Sequence, residues 1–197
     1  MRVRLARHGE TDWNARRWVQ GRNDIPLNAA GIAQANRLGD HLAQSSGIVR
    51  VYTSPMRRAS QTAQIVADRL NVPCEIRPGL EELALGDWEG HTWRQIERTW
   101  PEQFRAWTAD KRNVRPPDGE TYRELLDRLV PAVMRILADA EGDVLIVTHS
   151  ACILAFLAEL NRTPLERMLR DYAAPNAEAI ELDSAQILAR WPQRCPQ

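Results

Sequence analysis

Cysteine is scarce and scattered in this sequence. The three present, Cys74, Cys152 and Cys195, lie far apart, and no pair has metal-binding or redox spacing. That speaks against a disulfide framework and fits a reduced, cytoplasmic setting. An excess of one charge is missing as well. Lys+Arg and Asp+Glu both count 26, so the formal net charge is zero. Nucleic-acid and membrane-surface binders usually carry a basic excess, so neither partner is expected. The longest uninterrupted apolar run, Ala151 to Ala158, is too short to cross a bilayer. No apolar h-region of signal-peptide length precedes Arg7, so no secretory signal is expected. Three catalytic patterns are absent too. No glycine-rich loop ends in a phosphate-binding lysine, no His/Asp/Cys grouping has zinc spacing, and no Gly-x-Ser-x-Gly elbow occurs. No metal and no cofactor are expected.

What is present begins with Leu5-Ala6-Arg7-His8-Gly9-Glu10-Thr11. It follows an apolar segment, Arg2 to Ala6, that reads as a first strand. Gly9 is expected to let the backbone turn sharply there. In open α/β sheets, ligands bind at the carboxyl ends of strands, so Arg7 and His8 are expected at the mouth of a crevice. Arginine offers a planar fork of donors that matches phosphate or carboxylate. A neutral imidazole can serve as base or nucleophile. The loop that follows runs through Trp13, Asn14, Trp18 and Gln20 to Pro26. It is long, polar and aromatic, as binding loops are. The side-chain amides of Asn14 and Gln20 could serve a ligand there.

The rest of the chain alternates. A helix is expected from about 29 to 44, with Asn28 as N-cap and Ile32, Ala35, Leu38 and Leu42 as its apolar stripe. His41 on it reads as an ordinary helical histidine. Residues 48 to 53 read as a second strand. Ser54 and Pro55 read as N-cap and first residue of a helix running to about 70. Arg57 then lies in the first turn of that helix, where backbone N–H groups favour an anion. Residues 72 to 77 read as a third strand. The stretch 78–90 carries Glu81, Glu82, Asp87 and Glu89 on a loop, and chemistry alone does not choose a general acid among them.

Helical spacing of Trp93, Ile96, Trp100, Phe104 and Trp107 predicts two pieces broken before Pro101. Residues 84–118 read as an insertion covering the crevice within one domain, residues 1–197. A long helix over about 119–138 contains Pro131, where a kink is expected. Val144 to Val147 is the continuous apolar run of a buried central strand, and His149 follows it as His8 follows the first. A helix from Ser150 to about 160 comes next. Thr163 to Glu166 reads as a capping box. Residues 179–182 and 186–191 read as a closing hairpin. If Arg7, His8, Arg57 and His149 converge, an anion is needed to offset their burial, most simply phosphate.

These motifs, in order, resemble the histidine phosphatase superfamily, in its phosphoglycerate-mutase-like branch. The resemblance is carried by Arg7-His8-Gly9-Glu10-Thr11 with Trp13-Asn14, by Pro26-Leu27-Asn28, and by Ser54-Pro55 with Arg57, Ala59, Gln61, Thr62 and Ala63. It continues through Leu80-x-Glu82, Gly86-Asp87-Trp88-Glu89-Gly90 and Thr148-His149. It implies a three-layer α/β/α fold with a mixed, mostly parallel central sheet. It implies that His8 is the phosphoryl-accepting nucleophile and that Glu82 is the proton donor. Arg7, Arg57 and His149 become the phosphate clamp, and Asn14, Gln20 and Ser150 further phosphate or substrate contacts. Where the family often has two glycines after the second histidine, Ser150 and Ala151 stand here, both small. The implied activity is hydrolysis of a small phosphorylated metabolite without a metal. Phosphoglycerate-mutase-type transfer and a catalytically silent phosphate-binding module are the alternatives. The Gly86–Gly90 loop and Pro116–Thr121 are similar to alpha-ribazole phosphatase-type members. The sequence does not give the oligomeric state, and a homodimer stays open.

Overall fold

The structure is a computed structural model that describes residues 1–44 and 47–192; Cys195 lies outside the described residues. In chain order the elements are β1 (Arg2–Arg7), α1 (Asp12–Ala15), α2 (Ala29–Ala43), β2 (Ile48–Thr53), α3 (Arg57–Leu70) and β3 (Cys74–Ile76). Then follow α4 (Trp93–Thr99), α5 (Pro101–Ala109), α6 (Tyr122–Asp139), β4 (Asp143–Thr148), α7 (Ser150–Leu160), α8 (Met168–Asp171), β5 (Ala179–Asp183) and α9 (Ser184–Arg190). The strands form one sheet in the order β3-β2-β4-β1-β5. All neighbours are parallel except β1 and β5, which run antiparallel. This is the mixed, mostly parallel sheet that the resemblance implies.

Both faces of the sheet are covered, and the strand sequences show why. Successive side chains on a strand point to opposite faces. Val3 and Leu5 of β1, with Val144 and Ile146 of β4, enter one buried cluster with α6 and α7. Ala6 of β1, with Leu145 and Val147 of β4, enters the other with α2 and α3. A strand apolar on both faces needs helices on both sides. The chain leaves β1 toward the α2/α3 face and leaves β4 toward the α7 face. That divergence opens a crevice at the carboxyl ends of β1 and β4, where the register pairs Arg7 with Thr148.

Local chemistry sets the element ends. Asn28 Oδ1 accepts from Gly31 N–H at 2.8 Å and starts α2. Thr121 and Glu124 form a reciprocal capping box that starts α6. The break between α4 and α5 falls at Trp100, just before Pro101.

Several expectations need correction. Gly9 does not adopt a left-handed backbone. A Cβ on it would meet Gly31 O at 2.5 Å, so glycine there allows the start of α2 to approach the histidine loop. Ile32 is 46% exposed and lies off the buried stripe of α2. Ser54 does not cap a helix: α3 begins at Arg57 after an extended Met56. Thr163 makes no capping box, because its hydroxyl pairs with the Tyr172 hydroxyl at 2.8 Å, and Leu165–Arg167 is a short 3-10 turn led by Pro164. Ser184–Arg190 is a helix and not a strand. Asp183 Oδ1 accepts from Ala185 N–H at 2.8 Å, and Ile187 is buried. No helix among the described residues is long and apolar enough to cross a membrane.

Candidate active site

A cavity of about 450 Å³ opens at the ends of β1 and β4. Arg7, His8, Asn14, Gln20, Arg58 and Glu82 line one end. Ser150 and Ala151, at the start of α7, also face it.

His8 is 1% exposed. Its backbone N–H donates to Thr148 O at 3.0 Å, which continues the β1–β4 ladder one residue further. Its Nδ1 lies 2.7 Å from Gly9 O. A carbonyl only accepts, so Nδ1 carries the proton and Nε2 keeps its lone pair. Arg58 Nε donates to that Nε2 at 3.2 Å. Burial, then the Arg58 and Arg7 guanidiniums, push the His8 pKa well below its ordinary 6.5, against the opposing Gly9 hydrogen bond. The ring is therefore neutral at neutral pH.

His149 lies beside His8, with ring centroids 5.3 Å apart. It is buried, and its pKa is also pushed well below 6.5, first by burial and then by Arg58. Its Nε2 is hydrogen-bonded to Ser54 Oγ at 2.9 Å. Ser54 Oγ accepts from Met56 N–H at 3.3 Å, so its own proton is free for His149 Nε2. That leaves the neutral ring's proton on Nδ1. Nδ1 is buried and has no partner among the described residues, and the same holds for Arg7 Nε. Buried polar atoms are nearly always satisfied, and these two donors stand unsatisfied close to His8.

The arginine of this site is Arg58 and not Arg57. Arg57 is exposed, and its N–H donates to Asp24 Oδ1 at 2.7 Å, so the start of α3 already holds a carboxylate. Arg58 is fully buried; Nη1 donates to Asn23 O at 2.7 Å and Nη2 to Gly21 O at 2.8 Å. Helical periodicity carries the distinction. Arg58 lies one turn before Thr62 on the buried face, whereas Arg57 lies one turn before the exposed Gln61.

The four acids of the 78–90 loop separate cleanly. Glu82 alone lines the cavity. Its carboxylate accepts from Leu83 N–H at 2.9 Å and from Ala151 N–H, at the start of α7, at 3.4 Å. Glu81 accepts from Gly79 N–H, and Asp87 is exposed. Glu89 ties two loops together by accepting from Arg22 N–H and Leu85 N–H at 2.9 and 3.0 Å. Asn14 Oδ1 accepts from Thr11 N–H at 3.1 Å and Gln20 Oε1 accepts from the Thr11 hydroxyl at 3.0 Å, which leaves their NH2 groups to donate. Of the clustered tryptophans, Trp93 and Trp107 line the cavity, with Trp18 from the β1 loop.

Sequence reasoning did not find four supporting residues. Ser54 positions His149, Thr62 Oγ1 accepts from Gly9 N–H at 2.9 Å, and Asn176 Nδ2 donates to His8 O at 2.9 Å. Arg128 of α6 donates to Gly79 O, Glu81 O and Glu82 O at 2.8–3.0 Å and holds both oxygens of Glu120. Ser54 and Thr62 stand in the quoted Ser54–Ala63 motif, but without these roles; Asn176 and Arg128 act across long stretches of chain and had no signal.

A strand-end histidine with an unprotonated Nε2, ringed by arginine and amide donors and faced by one carboxylate, defines a phospho-group-handling site on an α/β sheet. Comparison with known proteins gives the lineage. Residues 3–187 match the family model for the histidine phosphatase superfamily (branch 1), and the chain belongs to that family. It is 35% identical over 182 residues to phosphoglycerate mutase-like protein 4 of Arabidopsis thaliana, which covers 90% of this chain and 73% of the relative. It is 33% identical over 165 residues to the adenosylcobalamin/alpha-ribazole phosphatase of Salmonella typhimurium, covering 83% and 81%. Among solved structures it is similar to Bacillus stearothermophilus YhfR, with TM-score 0.84, 33% identity and coverage of 92% and 90%. The chain is thus phosphatase- or mutase-like in kind.

Proposed function

We propose that this chain is a phosphomonoester hydrolase acting on a small phosphorylated metabolite through a phosphohistidine on His8. The observation that carries this reading is the 2.7 Å contact between His8 Nδ1 and Gly9 O. Gly9 O fixes the proton on Nδ1, so the Nε2 lone pair is available beside the guanidinium of Arg58.

In the first step Nε2 attacks phosphorus, the N–P bond forms and the ester P–O bond breaks. The Nε2–Arg58 hydrogen bond passes to a phosphoryl oxygen. Arg7 Nε, His149 Nδ1 and the amides of Asn14 and Gln20 supply the remaining donors. Fixed donors aimed at developing charge are the largest catalytic contribution in many such sites. Glu82, in its acid form, gives its proton to the departing alcohol. In the second step Glu82 takes a proton from water, the oxygen attacks phosphorus, and the P–N bond breaks. Ser150 and Ala151 place the start of α7 beside this chemistry, where its dipole favours the anion.

An alpha-ribazole-type substrate is supported by the loop motifs at 86–90 and 116–121 and by the Salmonella relative's name. The scattered cysteines, with no pair at redox spacing, support a reduced, cytoplasmic setting. The reading is tested by p-nitrophenyl phosphate hydrolysis in excess EDTA. Chelator-resistant turnover that vanishes in His8→Ala is the expected result. Equal turnover by the variant would overturn the role of His8.

A further inference from the structure

The phosphate-handling residues fill only one end of the cavity. A volume of about 450 Å³ suits a whole small-molecule ligand and exceeds what a phosphate group needs. The far walls are apolar. Trp18 and Val19 come from the β1 loop, Leu85 from the glutamate loop, and Leu154 and Met168 from α7 and α8. Trp93 and Trp107 add a pair of stacked rings, 5.5 Å apart and 17° from parallel. Trp107 is held from behind by the edge of the fully buried Trp88, and Lys111 Nζ sits 4.4 Å from its ring centre.

Two of these wall residues are left in water. Trp93 is 44% exposed and Leu169, also on the lining, is 68% exposed. Large apolar side chains gathered at the mouth of a cavity mark a binding surface more than a scatter of surface residues does. Charge is sparse there. Beyond Arg7, Arg58 and Glu82, the only charged side chain among the described lining residues is Arg17. A leaving group with its own ammonium or carboxylate would enter a wall with little to pair it.

We propose that the leaving group is a bulky, uncharged alcohol with an apolar or aromatic body, which lies along Trp18, Trp93 and Trp107 and is capped by Leu169. This rests on the hydrolase reading above, with the phosphoryl group on His8. Small polar esters and esters carrying a second charge are the poor substrates.

The test compares 2-naphthylmethyl phosphate, ethyl phosphate, phosphoserine and 3-phosphoglycerate. All four release alkyl alcohols, so a preference is not an aryl leaving-group effect. The expected kcat/KM for the naphthylmethyl ester exceeds that for ethyl phosphate by about 100-fold, mostly through KM, as burial of a ring system implies. Phosphoserine and 3-phosphoglycerate fall at or below ethyl phosphate. Trp93→Ala and Leu169→Ser, at side chains already in water, are expected to cut the naphthylmethyl-to-ethyl ratio about tenfold. A ratio near one, or preference for either charged ester, would overturn the proposal; for 3-phosphoglycerate it would point to Arg17 as a carboxylate partner. Turnover of none of the four would overturn the hydrolase reading instead. Calorimetry with 2-naphthylmethylphosphonate and ethylphosphonate then still decides the wall. At least tenfold tighter binding of the former sustains it, and equal binding sinks it.

Discussion

At the residue scale, one histidine is made a nucleophile by two neighbours with opposite tasks. Gly9 O takes the Nδ1 proton, and Arg58 points its Nε at the bare Nε2. Arg58 is itself pinned by Gly21 O and Asn23 O, so its charge is fixed before substrate arrives. Arg58→Ala is therefore expected to lower kcat/KM by about 10²-fold or more, the scale of losing a preorganised electrostatic donor. Arg57→Ala, at an exposed side chain, is expected to stay within about threefold of the native enzyme. Steady-state kinetics on one substrate checks both. Equal losses would contradict the geometry. The same pair shows what the sequence could and could not tell. His8, His149 and Glu82 stand at strand ends or in a motif, and their places were legible. The choice between adjacent arginines was decided by which one falls on the buried stripe of α3 with Thr62 and Val66. Family motif spacing read loosely pointed to the wrong one, while helical period pointed to the right one.

At the element scale, the carboxylate works from a loop without regular structure, and α6 holds that loop. Arg128 ties the backbone carbonyls of Gly79, Glu81 and Glu82 together and forms a two-point ion pair with Glu120. Thr148 Oγ1 adds a bond to Leu80 O at 2.7 Å. Arg128→Met is expected to let Glu82 drift from its place. Loss of the acid matters most when the leaving alcohol is a poor one. The kcat/KM for ethyl phosphate should then fall at least about tenfold further than that for p-nitrophenyl phosphate. Folding stability should fall by about 3 kcal/mol, because the Glu120 carboxylate loses its partner. Uniform losses on both substrates would assign Arg128 a purely structural role. None of this was readable from α6, whose apolar stripe predicted the helix but not the partner of its one inward arginine. The closing segment failed for a related reason. Residues 184–190 are short and mixed in polarity, and the Asp183 cap and the burial of Ile187 make them helical.

At the scale of the whole molecule, the continuous apolar run of β4, with β1 paired beside it, fixes a sheet covered on both sides. Their shared carboxyl ends then bring two histidines from opposite halves of the chain to 5.3 Å. That much followed from periodicity and strand–helix order, because burial on two faces leaves an uninterrupted apolar signature. Burying both imidazoles in neutral form has a consequence for stability. Their folded pKa values lie below 6.5, so as pH falls below 6.5 the unfolded chain binds protons that the folded chain refuses. Stability is complete above that pH and declines below it, by at most about 1.4 kcal/mol per pH unit for each histidine. Thermal unfolding between pH 7.5 and 5 should show Tm falling with acidification. The fall should be shallower in His8→Ala, and a slope unchanged by that substitution would contradict the account.

The most direct measurement is the covalent intermediate itself. The enzyme is mixed with a phosphate ester, quenched in alkali within one turnover, and the phosphorylated peptide is mapped and examined by 31P NMR. Phosphate on His8, bonded to Nε2, stable in alkali and lost in acid, is the expected result. Turnover with no phosphoenzyme on His8, or phosphate carried by Nδ1 or by another residue, would contradict it.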